Sequence, residues 1–179
     1  MTIKNVLISL CPKVKPGITT QLALYLNQYL PKYEVNTPQR VAAFLSQAAY
    51  ETGCFKWFTE LGDEKYFNKY ENRSDLGNTQ PGDGVLYKGR GIFQLTGRAN
   101  YKKFGEILNF PLLNQPEAAA ELEIAVRIAC EFWKERKLNQ LADIEDIKTI
   151  TRKINGGLNG YSKRLQLYQK IIDHEFEIF

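Results

Sequence analysis

The stretch TPQRVAAFLSQAAYETG, residues 37–53, constrains this chain more than any other. Thr37 offers the hydroxyl of an N-cap, Pro38 suits the first helical position, where no N–H is needed, and Gly53 can take the left-handed stop. Between these marks Val41, Phe44, Leu45, Ala48 and Ala49 recur at the spacing of one helical face. A buried helix with both ends signalled follows. The same periodicity predicts helices over about 19–30, closed by Pro31, from about residue 98, over about 116–135, over about 145–154 up to Gly156-Gly157, and over about 161–175. Leu122, Ala125, Val126, Ala129, Phe132 and Trp133 form the apolar stripe of the longest. VLYKGRGIFQL, a β-prone stretch interrupted by glycines, predicts a small β element in the middle of the chain. Polar residues 60–84 predict a long surface loop with at most a short helix near 64–70. The fold class expected is mainly α.

With 179 residues, 44% of them apolar, the chain fits one domain over 1–179, the 19–30 helix included. Lys and Arg number 24 against 20 Asp and Glu, a charge of +4 spread along the sequence. Attraction to a polyanion follows, but nucleic acid, an acidic membrane and an anionic cell wall are all compatible with it. The apolar run Val6 to Leu10 is shorter than the core of a secretory signal, and no segment is long enough to span a bilayer. Synthesis in the cytoplasm without a signal peptide and no stable membrane insertion are expected. Cys11, Cys54 and Cys130 are an odd, widely spaced set without a CxxC pair, read as free thiols rather than a disulfide framework or zinc site. KGRGIFQLTG lacks the GK[ST] ending of a phosphate loop, which argues against a nucleotide cofactor.

Glu51 and Glu60 flank Gly53 and three aromatics. On one continuous helix, nine steps of ~100° would point them to opposite sides, but a helix that stops at Gly53 lets the chain fold back. At the negative end of a helix the carboxylate form of Glu51 is disfavoured, which suits a general acid; Glu60, outside the helix, escapes that penalty and suits a base. Phe55, Trp57 and Phe58 can wall a sugar site or simply fill a core. Taken singly, Thr96 reads as a plain turn residue, Asn155 with the two glycines after it as a helix terminator, and Arg164 as an ion-pair partner.

Three stretches in order, AAFLSQAAYETG, YKGRGIFQLTGRANY and ITRKINGGLNGYSKRLQLY, resemble the family 19 glycoside hydrolases, chitinases and phage-type lysins with a lysozyme-like α-helical fold. The similarity covers about residues 35–170. It implies that Glu51 is the catalytic acid, Glu60 the base, and Thr96 the hydroxyl that helps hold the attacking water. It implies substrate contacts at Gln94, Asn100, Asn155 and Arg164, to which the aromatic Trp57 and the acid's neighbour Tyr50 are added. It also implies an inverting reaction with carboxylates roughly 6.5–9.5 Å apart, and neither metal nor organic cofactor. One departure stands out: the family usually has histidine before the acid, and here that residue is Tyr50. A phenol donates a hydrogen bond but carries no positive charge near neutral pH.

The expected partner is a polysaccharide, with no nucleic acid and no second subunit required. Peptidoglycan is preferred to chitin, because the positive charge suits an anionic wall and YENRSDLGNTQPGDGVLYKGRG is more similar to the lysin branch. On this reading the protein reaches the bacterial cell wall after release or export. A catalytically degenerate sugar-binding module, with Tyr50 as its hint, and a thiol hydrolase built on Cys54 and His174 are the rivals from other classes.

Overall fold

The computed structural model describes residues 2–173. The DHEFEIF end from His174 onward, and with it the thiol-hydrolase partner His174, lies outside the described residues. Ten α-helices follow in order: α1 Ile3–Leu10, α2 Pro16–Tyr29, α3 Pro38–Glu51, α4 Glu64–Phe67, α5 Asp83–Leu86, α6 Arg98–Leu108, α7 Leu122–Glu135, α8 Leu138–Asp143, α9 Ile147–Asn155 and α10 Tyr161–Ile172. Short 3-10 turns lie between some of them, at Asn68–Tyr70 and Pro116–Ala120 among others. Two compact units result, one of residues 57–129 and the other of the chain before and after them.

In the flanking unit α3 is the central element. The Thr37 hydroxyl accepts from the Arg40 N–H (3.3 Å) and Pro38 occupies the first turn, as its cap signals require. Its residues 41–49 are buried without a break, wider than the single stripe expected, because Ala42, Ala43, Ser46 and Gln47 are covered as well. Small side chains let α10 lie along it. Phe44 packs on Trp133 with ring centroids 5.1 Å apart. The run Val6 to Leu10 is part of α1, whose Ile3, Val6, Leu7 and Leu10 are buried and which packs on α2.

In the 57–129 unit the expected β element is reduced to two isolated bridges, Thr59 with Arg90 and Arg90 with Leu95. Glycine spacing explains the reduction: Gly89 and Gly91 bracket Arg90, and Gly91 turns at φ 81, so no ladder propagates. The loop 60–84 contains α4 and its 3-10 extension where a short helix was expected, and α5 is a helical turn the sequence did not announce. Asp83 organises that turn: its carboxylate accepts from the Thr79 and Gln80 N–H groups (3.0 Å each) and from Arg98 (2.5 and 2.9 Å). Two expected helices begin differently. Residues 116–120 form a 3-10 turn before α7, and the 145–154 helix begins instead at Ile147, after α8.

Candidate active site

Each carboxylate is held by its own unit. In the flanking unit α3 ends on Glu51, and Thr52 closes it. The Thr52 hydroxyl donates to the Ala48 carbonyl (2.7 Å) and accepts from the Phe55 N–H (2.8 Å). Gly53, Cys54 and Phe55 then follow with φ of 56°, 63° and 56°. Two consecutive non-glycine residues in the left-handed region are costly, and such strain gathers where geometry matters. The helix thus stops where Gly53 signalled it. Phe55, open between a sugar wall and the core, is 1% exposed and belongs to the core.

Glu51 Oε1 accepts from Arg164 Nη2 at 2.6 Å. The helix-end argument alone did not anticipate this cation. Arg164 is completely buried, so its charge demands partners on every side. Nη1 donates to Gln47 Oε1 (2.6 Å), Nε donates to the Asn159 carbonyl (3.2 Å), and the guanidinium carbon lies 4.1 Å from the Tyr50 ring centroid. Gln47 in turn donates to Thr151 Oγ1 (3.2 Å), whose own hydroxyl donates to the Ile147 carbonyl (2.8 Å). Tyr50 has room because residue 160 is glycine: a Cβ there would stand 1.9 Å from the Tyr50 ring. The unusual Tyr50 therefore serves as a cation–π platform under Arg164. Asn155 ends α9 at an exposed position. Gln47 and Thr151 were missed, although Gln47 stands one helical turn before Glu51 and so shares its face.

In the 57–129 unit Glu60 is pinned through both backbone and side chain. Its N–H donates to the Gly89 carbonyl (2.8 Å), and the Gly89 N–H donates back to Oε2 (3.2 Å). Oε1 accepts from Tyr66 Oη (3.1 Å), Lys69 Nζ (3.0 Å) and Tyr70 Oη (3.0 Å), the last also 3.1 Å from Oε2. Burial works to raise the pKa of Glu60, but the hydrogen bonds from Lys69, Tyr70 and Gly89 outweigh it and hold the group below the ordinary glutamate range. Glu60 is therefore a carboxylate at neutral pH. The same contacts act on their donors: burial and the neighbouring carboxylate push the Tyr70 phenol up. Lys69 also lies over two rings, 3.5 Å from the Tyr66 centroid and 4.7 Å from that of Tyr70.

Gln94 and Thr96 join Glu60. A Cβ on Gly89 would stand 2.7 Å from Gln94 Oε1, 3.1 Å from Glu60 Oε2 and 3.3 Å from Thr96 Oγ1, so three side-chain oxygens converge over this glycine. Gln94 is held with φ 53° and donates to the Gly91 carbonyl (3.0 Å), while Thr96 Oγ1 donates to the Gln94 carbonyl (2.9 Å). Asn100 sits behind them, donating to the Thr96 carbonyl (2.7 Å). Trp57 is 53% exposed, available as a stacking face. Arg90, between the glycines, is buried and donates to the Leu86 carbonyl (2.8 Å) and the Tyr101 hydroxyl (3.0 Å), an internal role rather than a phosphate cradle. Tyr66, Lys69 and Tyr70 were missed; their i, i+3, i+4 spacing in YFNKY was the available signal. Among the described residues no group of three His, Cys, Asp or Glu could hold a metal ion, and no helix is long and apolar enough to cross a membrane.

No protein-family model matches the chain. A glycosyl hydrolase family 19 domain-containing protein of Haemophilus influenzae is 35% identical over 167 residues, covering 77% of this chain and 80% of that protein. An endochitinase of Arabidopsis thaliana is 32% identical over 82% of this chain, which spans 50% of the plant protein's length. Among solved structures, chitinase C of Streptomyces griseus superposes with a TM-score of 0.77 over 96% of this chain and 75% of its own, at 20% identity. A class IV family 19 chitinase of Zea mays gives 0.70 over 93% of this chain and 89% of its own, at 21% identity. At such identities the structural likeness speaks for a shared lysozyme-like fold.

Proposed function

The chain belongs to glycosyl hydrolase family 19, and from that premise we propose that it hydrolyses the β-1,4-linked glycan of peptidoglycan, with Glu51 as general acid and Glu60 as general base. Glu60 takes a proton from water as the water oxygen attacks the anomeric carbon. Glu51 gives its proton to the glycosidic oxygen as that bond breaks. One water is consumed, and the proton gained by Glu60 returns to Glu51 through solvent. A product of inverted anomeric configuration follows. The observation that carries this reading is the state of Glu60, a carboxylate held ionised by four neighbouring donors, as a base must be. Thr96 and Gln94, converging with it over Gly89, supply the polar groups to orient the attacking water.

Peptidoglycan is favoured over chitin by the ammonium groups around the base. Lys69 pairs with Glu60, and Lys88 lies 4.8 Å from the ring centroid of Phe67, the residue between Tyr66 and its helical neighbours. Cations suit a glycan whose stem peptides, or lactyl groups where the peptide is absent, carry carboxylates. Chitin is the second reading, and the naming of the plant relative as an endochitinase supports it. On the first reading the protein works at the bacterial cell wall after release or export. Mass spectrometry of soluble products from purified peptidoglycan and from a chitin hexasaccharide tests both, with Glu51→Gln and Glu60→Gln in parallel. Muropeptides ending in N-acetylmuramic acid, lost in both variants, are expected. Chitin fragments alone would move the substrate to chitin, and full activity of Glu51→Gln would overturn the acid assignment.

A further inference from the structure

A carboxylate accepts a proton through a lone pair, and Glu60 has none to spare. Its two oxygens offer about four acceptor sites. Oε1 faces Tyr66, Lys69 and Tyr70, and Oε2 faces the Gly89 N–H and the same Tyr70 hydroxyl, five contacts within 3.2 Å. A water molecule can transfer its proton to Glu60 only when one of them leaves. Gly89 is fixed by the reciprocal backbone bond to Glu60. Tyr70 is half-buried and its ring stacks on Phe67 with centroids 6.5 Å apart. Tyr66 is 47% exposed but neutral, so an anion does not compete for it; Lys69, its side chain 41% exposed on a flexible stem, is the one donor whose charge another anion can compete for.

Resting on the reading of Glu60 as the base, we propose that Lys69 is a substrate-released gate and the residue that sets specificity for an acidic glycan. A carboxylate of the substrate draws the Lys69 ammonium from Glu60 Oε1, and the vacated lone pair accepts the proton of the attacking water. A neutral N-acetylhexosamine polymer has no group to do this, so Lys69 stays on the base and the reaction is slowed. The site is furnished for the exchange. Lys88, over Phe67, borders the same group of rings and gives an incoming carboxylate a second cation. The departure also strengthens the base, because Lys69 is the foremost contact holding Glu60 in its ionised form. The rings of Tyr66 and Tyr70 keep the ammonium solvated while it is away from Glu60, so release does not strand a bare charge.

The test is Lys69→Met, which keeps the length of the stem and its packing on the rings, with Lys69→Gln as a second, polar variant. Values of kcat and KM are measured on three substrates: intact peptidoglycan, amidase-treated glycan strands that have lost the stem peptides and bear freed lactyl carboxylates, and a chitin hexasaccharide. In both variants kcat on the hexasaccharide is expected to rise, KM on peptidoglycan to rise, and the ratio of kcat/KM between the two to fall about tenfold, the scale of one charge-assisted hydrogen bond. In the native protein, a preference over the hexasaccharide that is lost on the stripped strands assigns the anion to the stem peptide, and one kept there shows that a freed lactyl carboxylate also draws Lys69. Equal losses on all substrates would make Lys69 merely structural and overturn the proposal, as would an unchanged ratio. Glu60→Gln separates the two levels. If it keeps native turnover, the base reading itself fails; if it is inactive while the Lys69 ratio does not move, only the gate fails.

Discussion

Glu60 shows how a residue's behaviour is set by what donates to it. Its pKa is below the ordinary value because three sets of hydrogen bonds outweigh burial, so the ionised form persists at pH where a free glutamate, near 4.3, begins to protonate. The sign follows from linkage: the folded-state value is depressed, so the stabilisation is present above the unfolded value and lost as pH falls through the folded one. The acidic limb of kcat/KM is therefore expected below about pH 4.3. Lys69→Met should move that limb upward, and a limb that stays in place would deny Lys69 its part in holding the carboxylate. At Glu51 the expected loss on substitution by Gln is that of a general acid, about 10²–10⁴-fold in kcat with little change in KM. Gly89→Ala tests the convergence of side chains on one backbone position. Its methyl displaces the flexible end of Gln94 before it strains any backbone, so activity should fall, by about tenfold, while the melting temperature barely moves. A large drop in melting temperature at unchanged kcat would show that the glycine serves folding instead.

At the scale of elements, the long helices were legible because each carries a local signal that packing reinforces. Thr37, Pro38 and Gly53 marked α3, and the apolar recurrence placed its buried face. Phe44 sits at the middle of that face against Trp133, both fully buried. Phe44→Ala should cost about 3–5 kcal/mol in chemical denaturation, leaving the slope with denaturant unchanged. What the sequence hid are elements held by distant polar partners. The short helix α5 depends on Asp83, whose lowered pKa comes first from the Arg98 hydrogen bonds and is supported by the Gln80 and Thr79 N–H groups. No periodicity announces a turn whose organiser lies fifteen residues from its guanidinium partner. Asp83→Ala is expected to destabilise the protein by about 3 kcal/mol, because it strands Arg98 and two backbone donors at once. Hydrogen exchange would then quicken in residues 77–86 before α6 loosens.

For the molecule as a whole, the candidate site was legible in its ends and illegible in its supports. Glu51, Thr96 and Arg164 stand in the three matched stretches and Glu60 follows the first of them, whereas Gln47 reaches Arg164 across 117 residues and Lys69 meets Glu60 from a short helical turn nine residues on. The small β element was overestimated for the same reason, since composition reports β propensity but not the glycines' refusal to extend a ladder. Charge is the property that composition reports best, and it bears on substrate. On the proposed reading, a net charge of +4, with Lys69 paired to Glu60 and Lys88 over Phe67, draws an acidic polymer through a field that salt screens beyond roughly 10 Å at 0.1 M and roughly 3 Å at 1 M. Turnover of peptidoglycan at limiting concentration should therefore fall several-fold as sodium chloride rises from about 0.05 to 0.5 M, chiefly through KM. Turnover of a chitin hexasaccharide, which carries no charge, should stay nearly level over the same range, since screening has no substrate charge to act on. Equal salt dependence on the two substrates would place the effect in the enzyme's own conformation and remove charge complementarity as a reason to prefer peptidoglycan.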